Sequence, residues 1–229
     1  MVVADPTTRA PSMRTSAPEP HSSRAVHPDV GGRRDDLPMV HQLLMPPQEI
    51  RTDRLLLTPL TPADIDDVHG VFSDARTWTH LPAGRHTVRA SSVDLVQRKI
   101  GGRARHGLGS WAVRSAADHA FLGVGGVDMT AAGVWNLGYR LAPWAWGHGY
   151  ATEIARAAVA AADDIVPEFP ITGRVLTNNP ASAAVLERAG LSLVWQGSTS
   201  STLPDGVERQ VWADRALSRT QRAWLVANA

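Results

Sequence analysis

The sequence predicts an α+β domain, a mixed sheet with helices packed on it. Two observations carry this. The elements read in the order β-α-α-β-β-β-α-β-α-β-β, so strands and helices alternate late in the chain but not early, which argues against a doubly wound parallel sheet. The chain has 229 residues, 43% of them hydrophobic and 20% charged, enough to bury one sizeable core.

Residues 1–47 read as an extended, poorly ordered tail. They are rich in Pro, Ser, Arg and Asp and sustain no hydrophobic period, so they bury too little apolar surface to offset the entropy of ordering. Residues 48–229 form the domain. Leu55, Leu56 and Leu57 make a first strand ending at Pro59. Thr61-Pro62-Ala63-Asp64 starts a helix: Thr61 caps, Pro62 suits the first helical position, and Asp64 sits at the positive end of the dipole. Ile65, Val68, Val71 and Phe72 give that helix its apolar stripe. The acidic group Asp64, Asp66 and Asp67 reads as a solvated first turn rather than a metal site. A second helix covers 88–106 and stops in glycines.

Strands follow at 110–114, 121–129 and 134–141. Gly123, Gly125 and Gly126 lie inside an apolar run with no helix pattern directly after it. They therefore mark a bulge or a close backbone approach, not a dinucleotide loop. A helix at 150–166 places Ile154, Ala158, Ala162 and Ile165 on one face. A strand at 171–177 and a helix at 180–189, closed by Gly190, come next. Strands at 191–196 and 207–213 are joined through Leu203-Pro204-Asp205-Gly206, which is good turn chemistry.

Composition narrows the function. There are 23 basic and 22 acidic residues, a formal net charge of +1, without the basic excess of a nucleic-acid binder. Without cysteine there is no disulfide, thiolate zinc site or cysteine nucleophile. The nine histidines show no metal-site spacing, so no metal is expected. No apolar run approaches the ~20 residues that span a bilayer, and the start lacks the apolar core of a secretory signal. The expectation is a cytoplasmic protein.

Two strand-to-helix junctions carry the chemistry. In the first, Gly138-Tyr139-Arg140-Leu141 leads through Trp146-Gly147-His148-Gly149 into a helix opening Tyr150-Ala151-Thr152-Glu153. A glycine turn at a helix N-terminus aims several N–H groups at one point and backs them with the dipole, which suits a phosphate. Glycine serving only to turn the chain is the plainer alternative. The second junction is Asn178-Asn179-Pro180-Ala181-Ser182, where Asn179 before Pro180 is a helix cap with or without a ligand.

Together the two stretches resemble the GNAT superfamily of N-acetyltransferases, in particular its RimJ/RimL-like branch. Trp146 to Glu153 looks like the branch's pyrophosphate motif, and Asn179 to Ser182 with Val185-Leu186-Glu187-Arg188-Ala189-Gly190-Leu191 looks like its second cofactor motif. The resemblance implies a mostly antiparallel central sheet of about six to seven strands flanked by about four helices. It implies acetyl-CoA as co-substrate, held by the backbone of Trp146, Gly147, His148, Gly149, Tyr150, Ala151 and Thr152. Asn179 would contact the cofactor arm, the Leu141 N–H would polarise the thioester carbonyl, and Ser182 would protonate the leaving thiolate. The third catalytic candidate, Asp128, stands in for a general base, since Asn136 occupies the place where the family often has an acid. Leu186 occupies the region of the family's usual acidic tyrosine.

The other substrate is an amine. Trp78, His80 and Arg85 follow the first helix, where the family builds its acceptor wall, and Trp135, Trp144 and Trp146 flank the site. An apolar acceptor pocket and ordinary core packing both account for these tryptophans. A site without a strong base suits an amine of low pKa. An α-amine at about 7.7–8.0 needs roughly 3.5 kcal/mol less deprotonation than a lysine at about 10.4. The expected reaction is therefore acetylation of a protein or peptide N-terminal α-amine. Alternatives are a small-molecule amine, such as an aminoglycoside or peptide antibiotic, and a non-catalytic acyl-CoA-binding module. Monomer and homodimer are both compatible with the sequence.

Overall fold

The computed structural model describes residues 49–198 and 203–228; the expected tail, residues 1–47, lies outside them. Eight strands form one sheet: β1 (Ile50–Arg51), β2 (Leu55–Pro59), β3 (Trp111–Ser115), β4 (Phe121–Met129), β5 (Trp135–Leu141), β6 (Ile171–Leu176), β7 (Ser192–Gly197) and β8 (Arg209–Ala213). Their order across the sheet is β1-β2-β3-β4-β5-β6-β8-β7. Every neighbouring pair is antiparallel except β5 and β6. Five α-helices accompany them: α1 (Ile65–Ser73), α2 (Arg89–His106), α3 (Tyr150–Ile165), α4 (Pro180–Arg188) and α5 (Arg219–Ala227). The sheet has more strands and the domain more helices than expected. The additions are β1, only two residues long, and α5 at the C-terminal end.

Helices cover both faces of the sheet. On one, Ile154, Ala155 and Ala158 of α3 and Val185 and Leu186 of α4 bury against Leu55, Leu57, Trp111, Val127, Trp135 and Leu137. On the other, Ile65, Val68 and Phe72 of α1 and Leu95 and Val96 of α2 pack on Ala112 and Val124. The alternation of Trp111, Ala112 and Val113 between these two clusters follows from the period of two that sends successive strand side chains to opposite faces. α5 is held by Leu225, fully buried with Val134 and Val211, and by a capping box in which Ser218 and Gln221 satisfy each other's backbone N–H.

The expected helix at Thr61 begins as a 3-10 turn, Pro62–Asp64, before α1. Asp64 Oδ2 accepts from the Thr61 N–H at 2.7 Å and from its hydroxyl at 2.9 Å. The three carboxylates there are taken up by arginines: Asp64 and Asp67 by Arg114, Asp66 by Arg89. In β4, Gly123 has φ +148°, and a Cβ there would stand 2.1 Å from the Arg140 carbonyl oxygen. The β4 glycines thus serve close strand approach, and Gly123 sets how near β4 lies to the end of β5.

Candidate active site

The parallel pair β5 and β6 is in register only at Trp135–Ile171, Asn136–Thr172 and Leu137–Gly173. Beyond Leu137, β5 continues to Leu141 along β4, but its pairing with β6 has ended. The sheet opens into a wedge there. The Ala142 N–H bonds the Leu122 carbonyl at 2.8 Å, on the β4 side. Main-chain groups alternate along a strand, so the Leu141 N–H faces the opposite edge, the one β6 has left.

The wedge continues into a cleft of about 590 Å³. Its floor is the β5 end, its walls the turn before α3 and the first turn of α4. Gly147 and Gly149 adopt φ +81° and +78°, conformations that cost most other residues about 1 kcal/mol or more. Gly149 is also the N-cap of α3 and has no side chain to satisfy the first N–H groups of the helix. Donors and dipole are therefore left facing the cleft. Nothing lies within 4 Å of where a Gly147 Cβ would stand, so this glycine serves conformation and access rather than packing. The Trp146 indole N–H donates to the Leu141 carbonyl at 2.9 Å, tying the turn to β5.

A second layer braces the turn. Arg54 pairs with Glu153 at 2.7 Å and donates to the His148 carbonyl at 2.8 Å, and its guanidinium lies over the Tyr150 ring. Burial works to raise the Glu153 pKa. Hydrogen bonds from the Thr52 hydroxyl, the Arg54 N–H and the Arg54 guanidinium outweigh it and hold the carboxyl below its usual value. The acid of the helix opening is thus a structural anchor between β1–β2 and α3.

Of the expected cofactor residues, Leu141, Trp146, Gly147, Gly149, Tyr150, Ala151, Thr152, Asn179 and Ser182 line the cleft. His148 does not; its ring stacks on Tyr150, with centroids 5.5 Å apart. Asn179 caps α4 by accepting from the Ser182 N–H at 3.3 Å, and Ser182 is 7% exposed.

The expected acceptor residues divide. His80 lines the cleft, and burial, aided by the Arg140 cation, lowers its pKa to about 4, so the imidazole is neutral at pH 7. Trp78, Arg85 and Trp135 lie outside the cleft lining. Trp78 is buried, its N–H donating to the Phe72 carbonyl at 2.6 Å; Arg85 donates to the Ser73 carbonyl at 2.6 Å; Trp135 is fully buried in the core. Trp144 is largely exposed. Asp128 is also outside, its carboxylate taken by Lys99 and by the Ser110 hydroxyl. Trp78, Arg85, Trp135 and Asp128 thus make internal packing or hydrogen-bond contacts and are not brought into the cleft lining with His80.

Tyr139 and Arg140 are among the cleft residues that escaped the sequence reading. Tyr139, two positions before Leu141, lines the cleft and donates to the Ser182 carbonyl at 3.4 Å. Burial pushes its pKa up to about 12, so it stays a donor. The period of two along β5, which puts residues 135, 137, 139 and 141 on one face, would have found it. Arg140, its neighbour, is 6% exposed. Its guanidinium lies 3.3 Å from the Trp78 ring centroid and 5.4 Å from that of Phe72, and it donates to the Thr77 carbonyl. Among the described residues, no carboxylate lines the cleft. The site can therefore seat an anion at the glycine turn, present an N–H at the β5 edge and offer hydroxyls nearby. That set fits a thioester carried on a pyrophosphate.

Residues 54–192 match the family model described as an acetyltransferase (GNAT) domain. Among solved structures, an acetyltransferase from Agrobacterium tumefaciens is similar at 24% identity, with a TM-score of 0.61, covering 73% of this chain and 94% of that one. RimL, a ribosomal L7/L12 alpha-N-protein acetyltransferase solved with coenzyme A, is similar at 18% identity and a TM-score of 0.61, covering 72% and 96%. Spermidine N-acetyltransferase from Vibrio cholerae, solved with CoA and spermine, is similar at 16% identity and a TM-score of 0.57, covering 71% and 97%. The chain belongs to the GNAT family of acetyltransferases and is an acetyl-CoA-dependent acyltransferase.

Proposed function

We propose that this GNAT enzyme acetylates the N-terminal α-amine of a peptide or protein, and that it falls in the RimJ/RimL-like branch. The observation that carries the acceptor class is the cleft, which joins the opened β5 edge to the glycine turn and, among the described residues, has no carboxylate in its lining. Without a carboxylate base the enzyme depends on an amine already partly neutral, and an α-amine at about 7.7–8.0 meets that condition where a lysine at about 10.4 does not. The branch assignment rests on the stretch Trp146 to Glu153, and the fold shared with RimL is consistent with it.

In this reading the backbone of Trp146 to Ala151 receives the pyrophosphate of acetyl-CoA at the α3 dipole. Residues 138–141 offer their free edge to the pantetheine arm, which takes the place of the missing β6 pairing, and Asn179 contacts the arm from α4. The Leu141 N–H donates to the thioester oxygen as negative charge grows on it. The neutral amine attacks the carbonyl carbon, the carbon–nitrogen bond forms and the carbon–sulfur bond breaks. The departing thiolate takes a proton at the Ser182 hydroxyl, directly or through water. The nitrogen gives its surplus proton to water at the acceptor end, where neutral His80 does not repel the amine. No bond to the enzyme forms.

The test is free-thiol release from acetyl-CoA over short peptides, polyamines and aminoglycosides. Turnover concentrated on peptides with a free α-amine supports the assignment. Turnover on polyamines or aminoglycosides with peptides inert overturns it.

A further inference from the structure

Among the described residues the cation of Arg140 has no acidic counterpart: no Asp or Glu forms an ion pair with it, although it is 6% exposed and lies in the cleft wall. Among the described residues its Nη2 finds no hydrogen-bond partner, and its Nη1 donates to the neutral Thr77 carbonyl. The aromatic faces of Trp78 and Phe72 fix the guanidinium and keep water off it. A buried charge without a partner is costly, and a ligand of opposite charge relieves that cost. The other charged liners are Arg76 and Arg188, both exposed, Arg76 being paired to Asp74. His80 beside Arg140 is uncharged at pH 7, so it neither adds to nor cancels the field.

Position decides which substrate feels this charge. Arg140 precedes Leu141 on β5, and its side chain points to the α1 face, with Thr77 and Trp78, whereas Tyr139 and the glycine turn face α3 and α4. The phosphate turn thus serves one side of the wedge and the Arg140 wall the other. We propose that this wall selects acceptors bearing a carboxylate close to the reacting amine, and rejects polycationic amines. Resting on the N-terminal reading above, it names the substrate class: peptides with Asp or Glu at the first or second position. The same chemistry is present in free acidic amino acids. Like charge facing a low-dielectric wall disfavours the wrong partner more effectively than surface charge does, because solvent screens it less.

The test uses the full chain and C-terminally amidated peptides differing only at position two, Glu, Ala or Lys, with free glutamate and spermidine alongside. Expected is a kcat/KM for the Glu peptide on the order of tenfold above the Lys peptide, with spermidine poorest. Arg140→Met collapses the Glu-to-Lys ratio towards one, and Arg140→Gln, polar but uncharged, does the same. The KM for acetyl-CoA serves as control for the cofactor side. If Arg140→Met does not fold, the wild-type ratio and Arg140→Gln still decide. Equal rates on the three peptides overturn the charge selection and leave the N-terminal reading standing. Preference for free glutamate with peptides inert keeps the charge selection and removes the N-terminal reading. Preference for spermidine, or no turnover on any carboxylate-bearing amine by protein that binds acetyl-CoA, overturns the proposal.

Discussion

Replacing Gly123 by alanine perturbs stability and catalysis through one atom. The new Cβ would lie 2.1 Å from the Arg140 carbonyl oxygen and 2.8 Å from the Leu141 Cα, whereas real Cβ contacts essentially never fall below 3.0 Å. The obstacle is backbone, so no side chain can swing away; β5 must retreat from β4 by roughly 1 Å. The φ of +148° adds a conformational cost of its own. Strain and overpacking are each about 1–3 kcal/mol, so the expected loss is about 2–6 kcal/mol, or about 4–24 °C in Tm for a domain of this size. The residue displaced is Leu141, whose N–H is assigned to the thioester carbonyl, and a misplacement of about 1 Å can cost about 10²-fold in rate. Thermal melting and thiol-release kinetics on the same preparation read both effects. A variant that melts within 2 °C of wild type, roughly, and keeps its kcat/KM would refute the reasoning, because the strand would have absorbed the atom without moving.

Other perturbations separate the parts of the site. Ser182→Ala should lower kcat by about 10²-fold while leaving the acetyl-CoA KM within about twofold, since proton delivery and not binding is removed; initial rates at varied acetyl-CoA decide. Arg54→Ala removes the brace on the glycine turn from outside the cleft and should raise the acetyl-CoA KM by about three- to tenfold with kcat little changed. Burial and the Arg140 cation lower both His80 and His86 to about 4, below the ordinary 6.5. Between those values the unfolded chain binds more protons than the folded one. This stability is complete above about pH 6.5 and is lost as pH falls towards 4. Both rings are partly exposed, so each is discounted to about 1 kcal/mol, and His86→Asn should flatten the acid limb of a Tm-against-pH curve. An unchanged slope would contradict this.

The sequence disclosed the two strand-to-helix junctions better than the opposite wall of the cleft, for a physical reason. Glycine at positive φ, Asn before Pro and a helix start are local signals, and Gly147, Gly149, Asn179 and Ser182 could be read from them directly. The acceptor side depends on where β6 leaves β5, which no local pattern encodes. Trp135 and Tyr139 share one face of one strand. Trp135 lies where β6 is still paired and disappears into the core; Tyr139 lies past the split and reaches the cleft. Asp128 looked like an available acid because Lys99, 29 positions earlier, is brought to it only by the packing of α2 on β4. β1, at two residues, was too short to show a period. α5 did show its Ser218-x-x-Gln221 capping box, yet its stripe is narrow, with only Leu225 buried.

The account's central claim is that the reacting nitrogen is an α-amine. It is tested most directly by offering the enzyme and acetyl-CoA one peptide with both a free N-terminus and an internal lysine, then locating the acetyl group by fragmentation mass spectrometry. The account predicts modification at the α-nitrogen alone, with a peptide blocked at its N-terminus left unmodified. Acetyl on the lysine side chain, or equal modification of the blocked peptide, would contradict it.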